Sequence, residues 1–260
     1  MSPALAEMLA GGEAIAVTAL CVFTRVAAVF FLAPGLGERA MPVRLRLVAA
    51  LVVTLALMPL VESFVDTRPR TPAALGQAIL AEAASGLVIG LAFRLLVLAL
   101  QIAGTIAAQN VSISHVFGTG VALSAEPTFA SFLALGGIAL LMASGFHVDL
   151  VAAFVTLYEP LPFATVPQAS DLAQWGTGRV GETFALGLSL ALPFVAVGFA
   201  YNLALAALSR AMPQLLVALV GVPLLVALGM GTLWLAIPEL FARWERTVSA
   251  LLAAPLGGLP

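Results

Sequence analysis

TFALGLSLALPFVAVGFAYNLALAALSRAMPQLLVALVGVPLLVALGMGTLWLAIP, residues 183–238, decides the fold class, because Arg210 is its only charged residue. A helix needs about 20 apolar residues to cross the hydrocarbon core of a bilayer. This stretch is long enough for two crossings, and the more polar sequence SRAMPQ, residues 209–214, predicts a turn between them. We therefore expect a membrane hairpin that is kinked at the proline in each arm, Pro193 and Pro223.

The rest of the chain has the same character. Hydrophobic residues make up 62% of it and charged residues 9%, whereas a soluble domain carries about 25% charge. Apolar segments in lipid must satisfy their own backbone hydrogen bonds, which predicts helices. We expect an all-α integral membrane protein with one domain over residues 1–260. Its six apolar segments are predicted at 14–33, 43–61, 78–108, 128–157, 183–209 and 213–238.

Charged side chains interrupt the first and third segments at Arg25, Glu82 and Arg94. A charge at bilayer depth costs roughly 2.5–3.5 kcal/mol even on lenient scales, so such a group faces protein or water. We expect kinked hairpins that are partly buried against partner subunits. Arg25 and Arg94 would pair with partner groups there, the alternative being that they snorkel to the membrane interface. The GxxxG sequence at residues 86–90 predicts close helix packing.

Residues that could carry catalysis are scarce. His147 and Asp149 are two positions apart, which on a helix points them about 200° away from each other, so they do not form a base and its orienting acid. The sequence contains no phosphate-binding or nucleophile motif, and it predicts no metal site and no cofactor. The net charge of −2 gives no handle for nucleic acid. An enzyme is therefore disfavoured, and an intramembrane enzyme would depend on His147 or Asp149.

Three stretches of the chain resemble the FliR family, the flagellar export-gate proteins whose injectisome counterparts are called SctT. Residues 23–57 share its arginine in the first helix, the "AP…G" sequence and the arginines that follow. Residues 86–109 resemble its third segment, including Arg94. Residues 202–224 are the most similar stretch, and the matching positions are Asn202, Ser209, Arg210, Pro213, Gln214, Gly221 and Pro223.

The resemblance implies a structural role and no catalysis. Members assemble with FliP-like and FliQ-like subunits into the entry pore for unfolded export substrates, next to FlhB-like and FlhA-like components. The chain would be a subunit of the flagellar type III export gate in the bacterial inner membrane, at the flagellar basal body. Its subunit-packing residues would be Arg25, Glu82, Arg94, Asn202, Arg210, Pro213 and Gln214. Asn202 is also expected to hydrogen-bond across its own hairpin.

The resemblance also implies a pore plug between the third and fourth segments. Residues 112–120 of this loop are polar and contain two glycines but no charge, as a plug that must not bind ions requires. Many members have an Asp-Pro here, whereas this chain has SAEP a little later, at 124–127. An ordinary connector beneath other subunits is the alternative. The predicted plug residues are Ser112, Ile113, Ser114, His115, Val116, Phe117, Gly118, Thr119 and Gly120.

Other functions remain open at this point. The chain could serve an injectisome instead of a flagellum, or it could be a stand-alone multi-pass transporter of small solutes, which would show an inverted repeat. Residues 238–260 also have two interpretations. Leu240, Trp244 and Val248 recur four apart, which predicts an amphipathic tail. That tail would dock another export component or lie in the membrane interface.

Overall fold

A computed structural model describes residues 3–38, 41–65, 68–69, 71–110, 128–211 and 217–257. None of these residues lies in a β-strand, and the all-α prediction is confirmed. A short 3₁₀ turn at Glu62–Phe64 follows the second helix. The α-helices are α1 (Pro3–Leu32), α2 (Val43–Val61), α3 (Pro72–Asn110), α4 (Thr128–Ala143), α5 (Phe146–Thr156), α6 (Ala169–Ala211) and α7 (Val217–Ala253).

Five of the described helices are long and apolar enough to cross a membrane, and α4 with α5 forms a bent sixth candidate. The chain bends by 72° between the two helices of this pair. Gly145 lies between them with φ +86°, a left-handed conformation that favours glycine and ends a helix. The predicted segment 128–157 is therefore not one helix, although the number of apolar segments agrees with the prediction.

The last two helices are longer than their apolar cores. α6 begins at Ala169 instead of residue 183, and α7 continues to Ala253 instead of ending at 238. Both helices also continue through their prolines, Pro193 in α6 and Pro223 in α7. The additional turns carry charged residues. Such turns can extend beyond the hydrocarbon core into water, since the backbone hydrogen bonds of a helix do not depend on the surrounding lipid.

The chain comprises two compact units. The first contains Met1–Arg94, Leu141–Arg179 and Val248–Pro260, and the second contains Leu95–Leu140 and Val180–Thr247. Helix α3 belongs to both units, since the division falls between two of its residues. The single domain over residues 1–260 stays a prediction.

In the first unit, α1 and α3 pack at the GxxxG sequence. A Cβ added to Gly86 would lie 2.5 Å from the Arg25 carbonyl oxygen and 2.7 Å from the Ala28 Cβ. One added to Gly90 would lie 2.9 Å from the Leu32 Cβ. The helices can approach this closely only because neither position carries a side chain. The predicted close packing is confirmed, and it occurs within the chain.

In the second unit, the last turns of α3 are surrounded by α4, α6 and α7. A Cβ on Gly104 would lie 2.5 Å from the Ala130 Cα in α4, and one on Gly198 in α6 would lie 2.6 Å from the Asn110 carbonyl oxygen. The Trp244 indole in α7 is fully buried and donates its Nε1–H to the Leu96 carbonyl oxygen at 2.8 Å. These contacts place the core of this unit along α3.

The amphipathic stripe predicted for the C-terminal tail is present but is not available to a partner. Leu240 and Trp244 are buried within the second unit, and Val248 is buried within the first. Both interpretations of the tail, docking through this stripe or lying in the interface, are wrong for these residues. The reason is that α7 is one continuous helix whose apolar stripe packs on the chain itself.

Candidate functional site

The Arg25 and Glu82 side chains form a forked ion pair. Arg25 Nε donates to Glu82 Oε2 at 2.6 Å, and Arg25 Nη2 donates to Oε1 at 3.2 Å. Both side chains have 0% solvent exposure. They belong to α1 and α3, which Gly86 allows to approach closely. The expected contact with a partner subunit is therefore wrong for these two residues, because two opposite buried charges satisfy each other inside the chain.

This ion pair also fastens the connector between α5 and α6. Glu82 Oε1 accepts a hydrogen bond from the Ala164 backbone N–H at 2.8 Å. Arg25 Nη2 donates to the Pro162 carbonyl oxygen at 3.4 Å, and its guanidinium carbon lies 3.8 Å from the centre of the Tyr158 ring. Burial raises the pKa of the Tyr158 phenol, which therefore stays neutral. Nothing in the sequence pattern pointed to these connector residues.

Arg94 likewise finds a partner within the chain. Its Nη1 donates to Glu38 Oε1 at 2.5 Å, with 39% of the arginine side chain and 29% of the glutamate side chain exposed. Arg46 donates to the backbone oxygens of Leu36 and Glu38 at 2.9 and 3.0 Å. Together the two arginines hold the connector between α1 and α2. Arg94 therefore has a partner within the chain, and because 39% of its side chain is still exposed, its contact with a partner subunit stays a prediction.

Asn202 and Arg210 differ from the buried pair because both are exposed on α6. Neither side chain bonds to any residue that the structure describes, so the predicted hydrogen bond from Asn202 across the hairpin is not made to that part of the chain. The neighbouring side chains are apolar and open, with Phe199 69% and Leu203 64% exposed. An amide in such a place requires a hydrogen-bonding partner, because lipid offers none.

The predicted plug, Ser112–Gly120, lies outside the described residues, and so do Pro213 and Gln214. The structure does describe the two helices that flank the plug loop. Helix α3 ends at Asn110 and α4 begins at Thr128.

A groove of about 760 Å³ lies in the second unit between α3, α4 and α6. Gln101, Thr105 and Gln109 line it from α3 at four-residue intervals, so they share one helix face. Phe184 and Leu188 line it from α6. No lining residue is charged, and the groove therefore offers hydrogen bonds and apolar surface without a group for acid–base chemistry.

Metal and catalytic chemistry find no support in the described part of the chain. No group of three or more His, Cys, Asp or Glu side chains there could hold a metal ion. His147 and Asp149 both lie exposed on α5.

Comparison with known proteins decides the family. The sequence profile of the family described as "Bacterial export proteins, family 1" matches residues 16–251. The "Flagellar biosynthetic protein FliR" of Caulobacter vibrioides is 34% identical over 235 residues, which cover 90% of this chain and 94% of that protein. The chain belongs to the FliR family of bacterial export proteins. The resemblance found in the sequence is confirmed.

More distant FliR proteins agree. The one from Escherichia coli K12 is 28% identical and aligned over 91% of each chain. The one from Bacillus subtilis is 27% identical, over 90% of this chain and 94% of that protein. With its apolar helices, this member of the FliR family is a membrane-embedded component related to flagellar export.

Proposed function

We propose that this chain is a structural, non-catalytic subunit of the flagellar type III protein-export gate in the bacterial inner membrane, at the flagellar basal body. In this proposal it assembles with FliP-like and FliQ-like subunits, next to FlhA-like and FlhB-like components, around the path of unfolded substrates. The observation that carries the proposal is the match to FliR over about nine-tenths of both chains. The relatives named above are flagellar, which favours a flagellum over an injectisome.

The exposed face of α6 supports a role as a subunit. Asn202 presents an amide between Phe199 and Leu203, two large apolar side chains that are open to the surroundings. A polar contact between membrane helices contributes about 1 kcal/mol, which corresponds to about fivefold in an association constant. We assign this face to contact with another gate subunit, with Arg210 farther along the same helix.

The plug remains part of the proposal. Ser112–Gly120 would lie in the pore and obstruct it, with Val116 and Phe117 as the apolar seal. Glycine and small uncharged polar residues allow a loop to turn without regular structure where it lines a cavity. The absence of charge would prevent the plug from binding ions tightly.

Recovery of the assembled gate tests the subunit role. The chain is tagged and co-expressed with the FliP-like and FliQ-like proteins of its own organism, and the complex is quantified after purification. Asn202→Leu should lower recovery about fivefold, because leucine keeps the volume and loses the amide. Thr232→Val is the matched control, since the Thr232 hydroxyl bonds to the Leu228 carbonyl oxygen of its own helix. Recovery of neither partner with the wild-type chain would refute the subunit role.

Flux through the gate tests the plug separately. Deletion of residues 112–120 should raise ion or small-solute flux in cells that make the whole gate, while the complex stays as abundant as wild type. Phe117→Ala should raise flux less than the deletion, because the backbone would still obstruct the pore. Equal flux at equal abundance would make the loop an ordinary connector.

A further inference from the structure

The connector between α5 and α6, residues 157–168, covers the core of the first unit. Its apolar side chains point inward, with Leu157, Leu161 and Phe163 each buried to more than nine-tenths. Its polar fastening is the Arg25–Glu82 pair, through the 2.8 Å bond from the Ala164 N–H to Glu82 Oε1. The connector is therefore held in place by apolar burial and by the buried Arg25–Glu82 pair, which bonds to its backbone at Ala164 and at Pro162.

This closed arrangement carries three local costs. Ala164 has φ +57°, a left-handed conformation that residues with a Cβ avoid. Arg25 Nη1 and Tyr158 Oη are buried without a hydrogen-bond partner among the described residues. Lifting the connector would relax the backbone at Ala164 and let both polar groups reach water. Backbone strain of this kind persists only where the surroundings enforce it, and it is common in segments that move.

We propose that residues 157–168 form a latch, which the Arg25–Glu82 pair closes and which opens locally without unfolding the rest of the chain. This inference concerns a moving part of the chain and does not depend on its role in the export gate. Opening would move Tyr158 away from the Arg25 guanidinium and expose the face of α1 that the Tyr158 ring covers. The two charges are the control point, since each bonds to the other and to the connector backbone, Glu82 at the Ala164 N–H and Arg25 at the Pro162 carbonyl oxygen.

The chain carries its own reporter for this motion. Cys21 is its single cysteine and is fully buried. It lies four residues before Arg25 on α1, which places the two side chains on one helix face. That face of α1 lies under the connector, because the Arg25 guanidinium carbon is 3.8 Å from the centre of the Tyr158 ring and Arg25 Nη2 donates to the Pro162 carbonyl oxygen. An open latch would therefore expose the thiol, and a closed one shields it.

The test measures how fast N-ethylmaleimide labels Cys21 in the full-length protein in membranes, with mass spectrometry as the readout. Glu82→Gln keeps the shape and removes the charge, so labelling should accelerate at least tenfold over wild type. Ala164→Pro should do the same with both charges intact, because proline lacks the donated N–H and cannot adopt a positive φ. Glu239→Gln is the matched control, since its ion pair with Arg246 is exposed and labelling should not change.

A second cysteine distinguishes local opening from unfolding. Ala107 is fully buried in the second unit, so Ala107→Cys in a Cys21→Ser background reports on that unit. Its labelling should stay slow when Glu82→Gln or Ala164→Pro is added. Fast labelling at both sites would mean that the chain unfolds as a whole, which overturns the latch. Wild-type labelling rates at Cys21 in Ala164→Pro would also overturn it, whether or not the Glu82 variant accumulates.

Discussion

Two glycines on α3 should respond in opposite directions to the same substitution. Gly76 and Gly86 lie ten residues apart on one helix. A Cβ on Gly76 would meet nothing within 4 Å, whereas one on Gly86 would lie 2.5 Å from the Arg25 carbonyl oxygen and 2.7 Å from the Ala28 Cβ. Gly86→Ala should therefore destabilise the protein, and Gly76→Ala should stabilise it.

The magnitude follows from the difference between the two sites. Alanine in a helix interior is favoured over glycine by about 0.5–1 kcal/mol, and both substitutions gain this. Only Gly86→Ala adds overpacking, which costs about 1–3 kcal/mol. The atoms it meets are a backbone oxygen and a Cβ, and neither can rotate away, so α1 and α3 must separate. Subtracting the two measured changes cancels the helix preference and leaves about 1–3 kcal/mol.

The assay is reversible unfolding of the purified chain in mixed micelles, with increasing sodium dodecyl sulfate and circular dichroism as the signal. The midpoint for Gly86→Ala should fall below wild type and that for Gly76→Ala should rise above it. Equal stabilisation by both substitutions would show that α1 does not touch α3 at Gly86. It would also remove the basis for the buried Arg25–Glu82 pair.

Three further predictions concern buried polar groups. Trp244→Phe should lower the free energy of unfolding by about 1 kcal/mol through loss of the bond to Leu96, and Trp244→Ala should lower it by about 3–5 kcal/mol in the same assay. Arg25→Met alone should cost about 3–5 kcal/mol because it leaves Glu82 buried and unpaired, whereas Arg25→Met with Glu82→Leu should cost much less; equal costs would contradict the pairing. Burial raises the pKa of Tyr158, so this phenol stays neutral above pH 10 in the folded protein. In the unfolded chain the same phenol loses its proton at about pH 10. Stability should therefore fall as pH rises beyond 10, and Tyr158→Phe should reduce that fall in unfolding curves measured from pH 8 to 11.

Apolar length and small-residue spacing were sufficient to predict much of the fold. The apolar run at residues 183–238, in which Arg210 is the only charged residue, predicted two helices, and the GxxxG at 86–90 predicted close packing, because both are local properties of the chain. The break at Gly145 was missed, since a single glycine in an apolar run does not distinguish a bent pair from one helix. Helix ends were also missed where α6 and α7 continue past their apolar cores into charged turns.

The partners of charged residues could not be predicted from the sequence. The cost of a charge in a membrane required a partner for Arg25, but Glu82 is 57 positions away, and only the packing of α1 on α3 brings them together. The same holds for Arg94 and Glu38, which are 56 positions apart. No sequence pattern indicated that Ala164 and Tyr158 contact the Arg25–Glu82 pair, because these contacts depend on the path of the connector, which no local pattern encodes.

Export by living cells tests the central claim most directly. The gene for this chain is deleted in the bacterium that carries it, and flagellin in the culture medium is measured against a periplasmic protein that uses the general secretory pathway. The proposal predicts that flagellin export is abolished and is restored by a plasmid copy of the wild-type gene, while the periplasmic protein is unaffected. Normal flagellin export and normal filaments in the deletion strain would contradict the proposed function.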